Sequence, residues 1–414
     1  MTAGPSDTYF RKGFGLAAAV KQDLDAAYAG EIVDRLRAND WRLTMGDVTV
    51  VLAREFGFCY GVERAVEYAY QTRRKFPDKR IYLLGEIIHN PHVNATLKGM
   101  GIEILEPRAD VPDGDPRFDY AAVRPEDVVI LPAFGVTMAD FQALRGHGCV
   151  VVDTTCGSVL NVWKRVESYA RDGLTSLIHG KYYHEETRAT ASQVLKYPHG
   201  HYLIVRDMGE AEHVMAWMAA SGAGTNDAST SAHFLATFAR ATSPGFDPDQ
   251  HLRSIGVANQ TTMLARESLA IGERVGQAMA QAWGESWRLE HFRTFDTICS
   301  ATQDRQDAVV ALLAERPDVM IVVGGFNSSN TISLSALCAE SVPTYHVEDA
   351  DGIDPAARSV HFRLAQVRHA EADAVDWMAA QGPVTIGVTA GASTPNNKIG
   401  EAVARVFATR GLRV

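Results

Sequence analysis

Three of the five cysteines share one setting: each closes a β-rich run and opens an amphipathic helix. VTVVLAREFGFC ends at Cys59, and Val62, Ala65, Val66, Ala69 and Tyr70 then mark a helix face. CVVVDTTC ends at Cys156, with Val159, Val162, Trp163, Val166 and Tyr169 at the same spacing. RTFDTIC ends at Cys299, with a shorter face from Ala308 to Leu313. Apolar steps of three and four lay one helix face on a sheet. A cysteine at such a junction meets the unpaired N–H groups and positive dipole end of the helix, which favours thiolate over thiol. Thiolates are ligands of soft metal centres. Three of them without a fourth protein ligand fit a [4Fe–4S] cluster with one open iron, whereas a closed structural cluster takes four. Zinc held by three cysteines and a water is the alternative, but no clear histidine pair stands at metal-ligand spacing. Cys149 opens an apolar strand and Cys338 sits in a helical pattern, so both read as core residues.

The polar loops form the second constellation. After each helix come a strand, a glycine and a polar loop: LLGEIIHN, SLIHGKYYHEE and VVGGFNSSN. The glycines Gly85, Gly180 and Gly324 lie 26, 24 and 25 positions beyond the preceding cysteine. A later strand and loop complete each set: VVILPAFGV, IGVANQTT and IGVTAGAST. His89, His184, Thr261, Thr262, Ser328, Ser329, Asn330 and Ser393 all follow predicted strands, where parallel sheets build ligand sites. Imidazoles, hydroxyls and an amide suit a diphosphate held by many hydrogen bonds. There is no Walker pattern and no GxGxxG, so a nucleotide is not indicated. Glu185 and Glu186 follow His184, and a carboxylate in an enclosed metal site can deliver a proton near neutral pH.

The elements that must position these residues alternate strand and helix, which indicates α/β architecture with parallel sheets. The repeat divides the chain into three similar α/β units, expected to sit pseudo-threefold around one centre. Their bounds are 47–155 with Cys59, 156–298 with Cys156, and 299–414 with Cys299 and the C-terminal segment. The middle unit is enlarged by an insertion at about 220–250, where the polar stretch SGAGTNDASTSA reads as surface. Residues 1–46 read as a helical extension without strand signal. Residues 110–124, rich in Pro and Asp, read as a loop.

Composition sets the frame. The 414 residues are 46% apolar and 22% charged, an ordinary globular balance that excludes disorder as the main state. A net charge of −10 argues against a nucleic-acid binder but leaves room for a local basic site. No run reaches a membrane span. The short apolar run 13–20 lacks a convincing cleavage context, so a cytoplasmic protein is expected. Five widely spaced cysteines point to a reducing compartment.

The motifs also resemble a known family. GFCYGVERAV, EIIHNPHV, VVDTTCGSV, HGKYYHEET, ANQTTM, DTICSATQDRQ, GGFNSSNT and GVTAGASTP stand in the order found in 4-hydroxy-3-methylbut-2-enyl diphosphate reductases. They span residues 48 to about 406. The N-terminal extension and FDPDQHLRSIGVANQTTM look like the long plant and cyanobacterial branch. The resemblance implies three α/β units around an iron–sulfur cluster bound by Cys59, Cys156 and Cys299. It implies diphosphate binding by His89, His184, Ser328, Ser329, Asn330 and Ser393, proton delivery by Glu186, and substrate positioning by Thr261. The implied reaction is reductive dehydroxylation of the allylic substrate to isopentenyl and dimethylallyl diphosphate, the last step of the methylerythritol phosphate route to isoprenoids. An external one-electron donor such as ferredoxin or flavodoxin is implied, in the bacterial cytoplasm or a plastid stroma. Phe134 stands in AFGV where many bacterial members carry histidine, so one polar contact is absent; the plant-like branch carries Phe there as well, so the resemblance does not imply loss of activity. Two rivals are a non-reductive Lewis-acid cluster enzyme resembling quinolinate synthase and an iron–sulfur redox sensor. The HEET and NSSN loops argue against the first, and the second would lack a shaped diphosphate pocket.

Overall fold

The valine-rich runs become buried strands, and the strands assemble into three sheets. The computed structural model describes residues 8–109, 111–112, 114–365 and 370–414. The chain forms two compact units. The first comprises the described residues of Met1–Arg11, Lys79–Gly85 and Glu103–Cys299. The second comprises those of Lys12–Asp78, Glu86–Ile102 and Ser300–Val414.

The first unit holds two of the sheets. One runs in the order Tyr9–Phe10, Val150–Asp153, Val128–Leu131, Ile81–Leu84, Ile102–Leu105. Its first four strands pair in parallel. The other runs Phe292–Thr294, Ile255–Asn259, Thr175–His179, Tyr202–Val205 and is parallel throughout. The helix Gly157–Arg171 packs through Val159, Val162, Val166 and Tyr169, the face its periodicity predicts. Full burial of one such valine is worth about 1.5–3 kcal/mol. Gly256 lies under the Tyr169 ring, where an added Cβ would come within 2.3 Å of it. A side chain at that position would force the helix off the sheet.

The second unit is built on an eight-stranded sheet. Its parallel centre runs Thr344–Val347, Val319–Val323, Val384–Ala390, Val48–Leu52. Antiparallel strands close both edges: Arg42–Met45 beside Val48–Leu52, and Ser359–Arg363 beyond Thr344–Val347. The helix Tyr60–Lys75 buries Ala65, Val66, Ala69 and Tyr70 of its expected face.

Sheet membership cuts across the linear units. The strand Val48–Leu52, which leads to Cys59, pairs with Val384–Ala390 from the far end of the chain. The strands leading to Cys156 and Cys299 instead pair with strands that precede them, Val128–Leu131 and Ile255–Asn259. The N-terminal segment contributes two strands as well as the expected helices. Tyr9–Phe10 and Arg42–Met45 are too short to show a pattern of their own, and pairing to a neighbour makes them strands. Val33 and Leu36 of the helix Glu31–Ala38 are fully buried, so this segment is core as well as extension. The polar stretch near 225 also differs from a plain loop. Asp227 and Thr230 form a capping box that starts the helix Ala228–Thr237, and Phe234 anchors it. Among the described residues, no helix is long and apolar enough to cross a membrane.

Candidate active site

The first unit holds Cys156, Cys299, His184, Glu186 and Thr261. Cys156 is the N-cap residue of Gly157–Arg171, with extended backbone and no side-chain capping bond. Its N–H donates to the Ala133 carbonyl at 2.9 Å. Cys299 immediately precedes the helix Ser300–Ala314, and its N–H donates to the Thr261 carbonyl at 3.4 Å. Both cysteines are half-buried.

His184 caps the helix Glu185–Val194, its Nδ1 accepting the Glu186 N–H at 3.2 Å. That bond leaves the proton of a neutral ring on Nε2. Glu186 is only 2% exposed, whereas Glu185 is half-buried. The Glu186 carboxylate accepts the Thr261 N–H at 2.7 Å on Oε1, and Oε2 lies 3.0 Å from the Thr261 hydroxyl. Of the two glutamates, the second is therefore the buried one, and Thr261 meets both of its oxygens.

Sequence reasoning missed the residue that ties these loops together. Gln260 accepts from the Lys181 N–H at 3.1 Å and the Thr187 hydroxyl at 3.0 Å, and it donates to Thr262 at 2.8 Å. It thereby locks HGKYYHEET to ANQTT. Its signal was only its place inside a quoted motif. Phe134 sits edge-on to His184, with ring centroids 5.8 Å apart. The adjoining Gly135 has φ +77° and packs on Trp163, where an added Cβ would lie 2.4 Å from the indole. Phe134 thus orients the imidazole by contact where a histidine would offer a hydrogen bond.

The second unit holds Cys59, His89, Ser328, Ser329, Asn330 and Ser393. Cys59 is the N-cap residue of Tyr60–Lys75, again without a side-chain capping bond, and it is half-buried. Its N–H donates to the Ala392 carbonyl at 3.2 Å, and the Ala392 N–H donates to Asn330 Oδ1 at 2.9 Å. Arg305, from the DRQ of DTICSATQDRQ, donates to the Gly57 carbonyl and fixes the loop before Cys59.

The polar loops of this unit meet at the serines. Ser393 Oγ donates to the His89 carbonyl at 3.1 Å and lies 3.4 Å from Ser328 Oγ. Ser328 caps the helix Ser329–Ala339. Asn94 holds the His89 loop by accepting from the Ile87 N–H and donating to the Ile88 and Asn90 carbonyls. His89 Nδ1 lies 2.8 Å from Glu86 Oε2. The close approach of the loops requires Gly325, where an added Cβ would lie 2.6 Å from the His89 carbonyl. Asn330 is 3% exposed, and its Nδ2 is buried without a hydrogen-bond partner. A buried amide donor left open in this way is costly unless a ligand meets it.

Cys149 and Cys338 differ from the other three. Both are buried, and burial pushes their thiols up to about 11 and about 12 respectively. A thiol so disfavoured as thiolate is a packing residue. The three half-buried cysteines at helix starts are the donor set that suits iron–sulfur ligation.

Comparison with known proteins gives a consistent result. Residues 50–407 match the family described as LytB protein. The 4-hydroxy-3-methylbut-2-enyl diphosphate reductase of Thermosynechococcus vestitus is 45% identical over 408 residues, covering 98% of this chain and 96% of the relative. That of Gloeobacter violaceus is 44% identical over 416 residues, covering 98% and 94%. Among solved structures, the E-1-hydroxy-2-methyl-but-2-enyl-4-diphosphate reductase of Plasmodium falciparum superposes with a TM-score of 0.56 at 22% identity, over 86% of both chains. That last likeness shows the shared fold.

Proposed function

The chain belongs to the LytB protein family, and from that premise we propose that it reduces (E)-4-hydroxy-3-methylbut-2-enyl diphosphate to isopentenyl and dimethylallyl diphosphate. The observation that carries this reading is the buried Glu186 carboxylate, held on both oxygens by Thr261. The reaction breaks the allylic C–O bond, consumes two electrons and two protons, and releases water. Cys59, Cys156 and Cys299 are the proposed ligands of a [4Fe–4S] cluster with one iron open to substrate. When bound, the cluster supplies the electrons one at a time and a Lewis-acidic iron for the departing oxygen.

The chain's own residues do the rest. Glu186 supplies the proton that lets the oxygen leave as water, and Thr261 orients that carboxyl group and the substrate hydroxyl. His184, its Nδ1 engaged by the Glu186 N–H, presents Nε2–H to the diphosphate. Ser328, Ser329, Asn330, Ser393 and His89 hold the diphosphate, and the open Asn330 Nδ2 is the clearest donor waiting for an anion. Fixing the diphosphate fixes the allyl group at its far end, which converts an encounter into a positioned reaction. The second proton, added at either end of the allyl unit, decides between the two products.

No dinucleotide fingerprint is present, so the electrons are assigned to an external donor such as ferredoxin or flavodoxin. Thiols that must stay reduced to hold iron suit a reducing compartment, the bacterial cytoplasm or a plastid stroma. The test is single-turnover reduction by anaerobically reconstituted, pre-reduced protein. Cluster-dependent formation of both C5 diphosphates is expected. A fully loaded, reducible protein that leaves the substrate untouched would overturn the reading.

A further inference from the structure

The first unit holds a basic cavity of about 400 Å³ whose lining does not include Glu186. Four cationic side chains line it: Arg117, Arg188, Lys196 and Arg240. Asp115 is the one carboxylate in the lining among the described residues. Met138, Leu195 and Ile204 give it an apolar floor. None of the candidate active-site residues named above lines it. Its size is that of ordinary small-molecule sites.

Three of the cations have protein partners, and Arg117 keeps one nitrogen without a hydrogen bond. Lys196 pairs with Glu167 at 2.6 Å, and Arg188 Nε donates to the Tyr182 carbonyl at 3.2 Å. Arg240 lies over the Tyr182 ring at 5.5 Å. Arg117 gives its backbone N–H to Asp140 at 2.7 Å, but its side-chain Nε is buried with no hydrogen-bond partner. Burial, and then the neighbouring Arg188 charge, hold the Arg117 guanidinium below its ordinary range, against partial relief from Glu185 and Asp140. A guanidinium stays charged regardless, so an unpaired buried nitrogen and a facing like charge are a cost that an anion removes. Planar guanidinium forks match phosphate oxygens, and the apolar floor suits a hydrocarbon segment.

We propose that this cavity is a second anion site, which takes an organic diphosphate carrying a short apolar tail. It is placed to regulate the proposed reaction. Its wall includes Arg188 and Ser192 of the helix Glu185–Val194, which also carries Glu186. Arg188 follows Glu186 by two positions, about 200° around the helix, so ligand and active carboxylate address opposite faces. Ser192 Oγ accepts the Met138 N–H at 3.1 Å and joins that helix to the loop bearing Phe134. Occupancy of the cavity therefore bears on both segments that position His184.

The experiment is titration calorimetry on cluster-loaded, oxidised protein without an electron donor. Substrate heat is recorded first, so failure of the active-site reading would show there as no binding. Octyl diphosphate is then titrated into the substrate-saturated protein, with inorganic pyrophosphate in a parallel arm. One equivalent of octyl diphosphate is expected to bind, at least 10-fold tighter than pyrophosphate. Arg117→Gln with Arg240→Gln should weaken it at least 10-fold and leave substrate binding unchanged. The exposed Arg240→Glu change alone should act in the same direction, should the double variant fold poorly. Loss of the heat on substrate saturation, equal binding of pyrophosphate, or indifference to substitution in a folded variant would overturn the proposal.

Discussion

A single residue, Thr261, holds both carboxylate oxygens of Glu186: its N–H reaches Oε1 at 2.7 Å, and its hydroxyl lies 3.0 Å from Oε2. A hydroxyl can donate to a carboxylate and accept from a carboxylic acid, so the pair stays satisfied in either protonation state. That is what a proton donor must do across a turnover. Glu186→Gln keeps the shape and the Oε1 acceptor but has no acidic proton. Turnover should fall by about 10²–10⁴-fold, with iron content unchanged. Rate and iron per chain, measured together, check this, and undiminished turnover would remove Glu186 from its role.

Thr261→Val leaves the backbone N–H and deletes only the hydroxyl. The expected loss is milder, about 10-fold in turnover, as for one buried hydrogen bond. In a Glu186→Gln background the same change should add little, because the two residues act as a unit. Additive losses in this double-mutant cycle would mean that Thr261 serves the substrate independently of Glu186.

Iron content separates the cysteines. Cys59→Ser, Cys156→Ser and Cys299→Ser should each lower cluster occupancy after anaerobic reconstitution. Cys149→Ser and Cys338→Ser should leave it unchanged, since both thiols are core residues pushed towards the neutral form by burial. A ligand-position serine variant with a full complement of iron would break the assignment.

Much of this was legible because chemistry and periodicity coincide at particular residues. Cys59 and Cys156 were placed at helix starts by the Val/Ala/Tyr pattern after them, and both are N-cap residues. The loops were legible as polar stretches at fixed offsets. What joins them was not: Gln260 and Arg305 act over separations of 73 and 248 positions through hydrogen bonds that no local pattern encodes. The sheet partner of Val48–Leu52 was hidden for the same reason, since pairing to residues 384–388 is a tertiary choice. The two short N-terminal strands left no pattern of their own. The polar stretch before Phe234 concealed a helix because Asp, Ser and Thr serve caps as readily as loops.

The Asn330 amide is engaged at one end only. Oδ1 accepts from the Ala392 N–H at 2.9 Å, and Nδ2 stays buried and open. Asn330→Asp preserves the acceptor, deletes the donor and sets a negative charge where the diphosphate is expected. KM for the substrate should rise by roughly 100-fold, the scale of a lost charge-assisted bond. Asn330→Ala should also lower thermal stability, because the Ala392 N–H loses its acceptor at a cost of about 1–3 kcal/mol. Steady-state kinetics and melting curves on the pair distinguish the two effects, and an unchanged KM in both would detach Asn330 from substrate binding.

Two buried histidines make stability depend on pH. His346 Nε2 is 2.8 Å from the Gly324 carbonyl at the base of the NSSN loop, and His179 Nδ1 is 2.7 Å from Ser268 Oγ. Burial lowers both from 6.5 to about 4. In the fold they stay neutral where the unfolded chain already binds a proton. Their contribution is therefore complete above about 6.5 and is lost as pH falls towards 4. In that window each adds a slope approaching ~1.4 kcal/mol per pH unit. Urea unfolding of each single variant, His179→Gln and His346→Gln, against the parent at pH 7 and pH 5 reads this directly. Each variant should lose less stability on acidification than the parent, and for His346→Gln substrate affinity should also become less sensitive to acid, because Gly324 starts the loop proposed to hold the diphosphate. Parallel unfolding curves at the two pH values would mean that the imidazoles titrate normally in the fold.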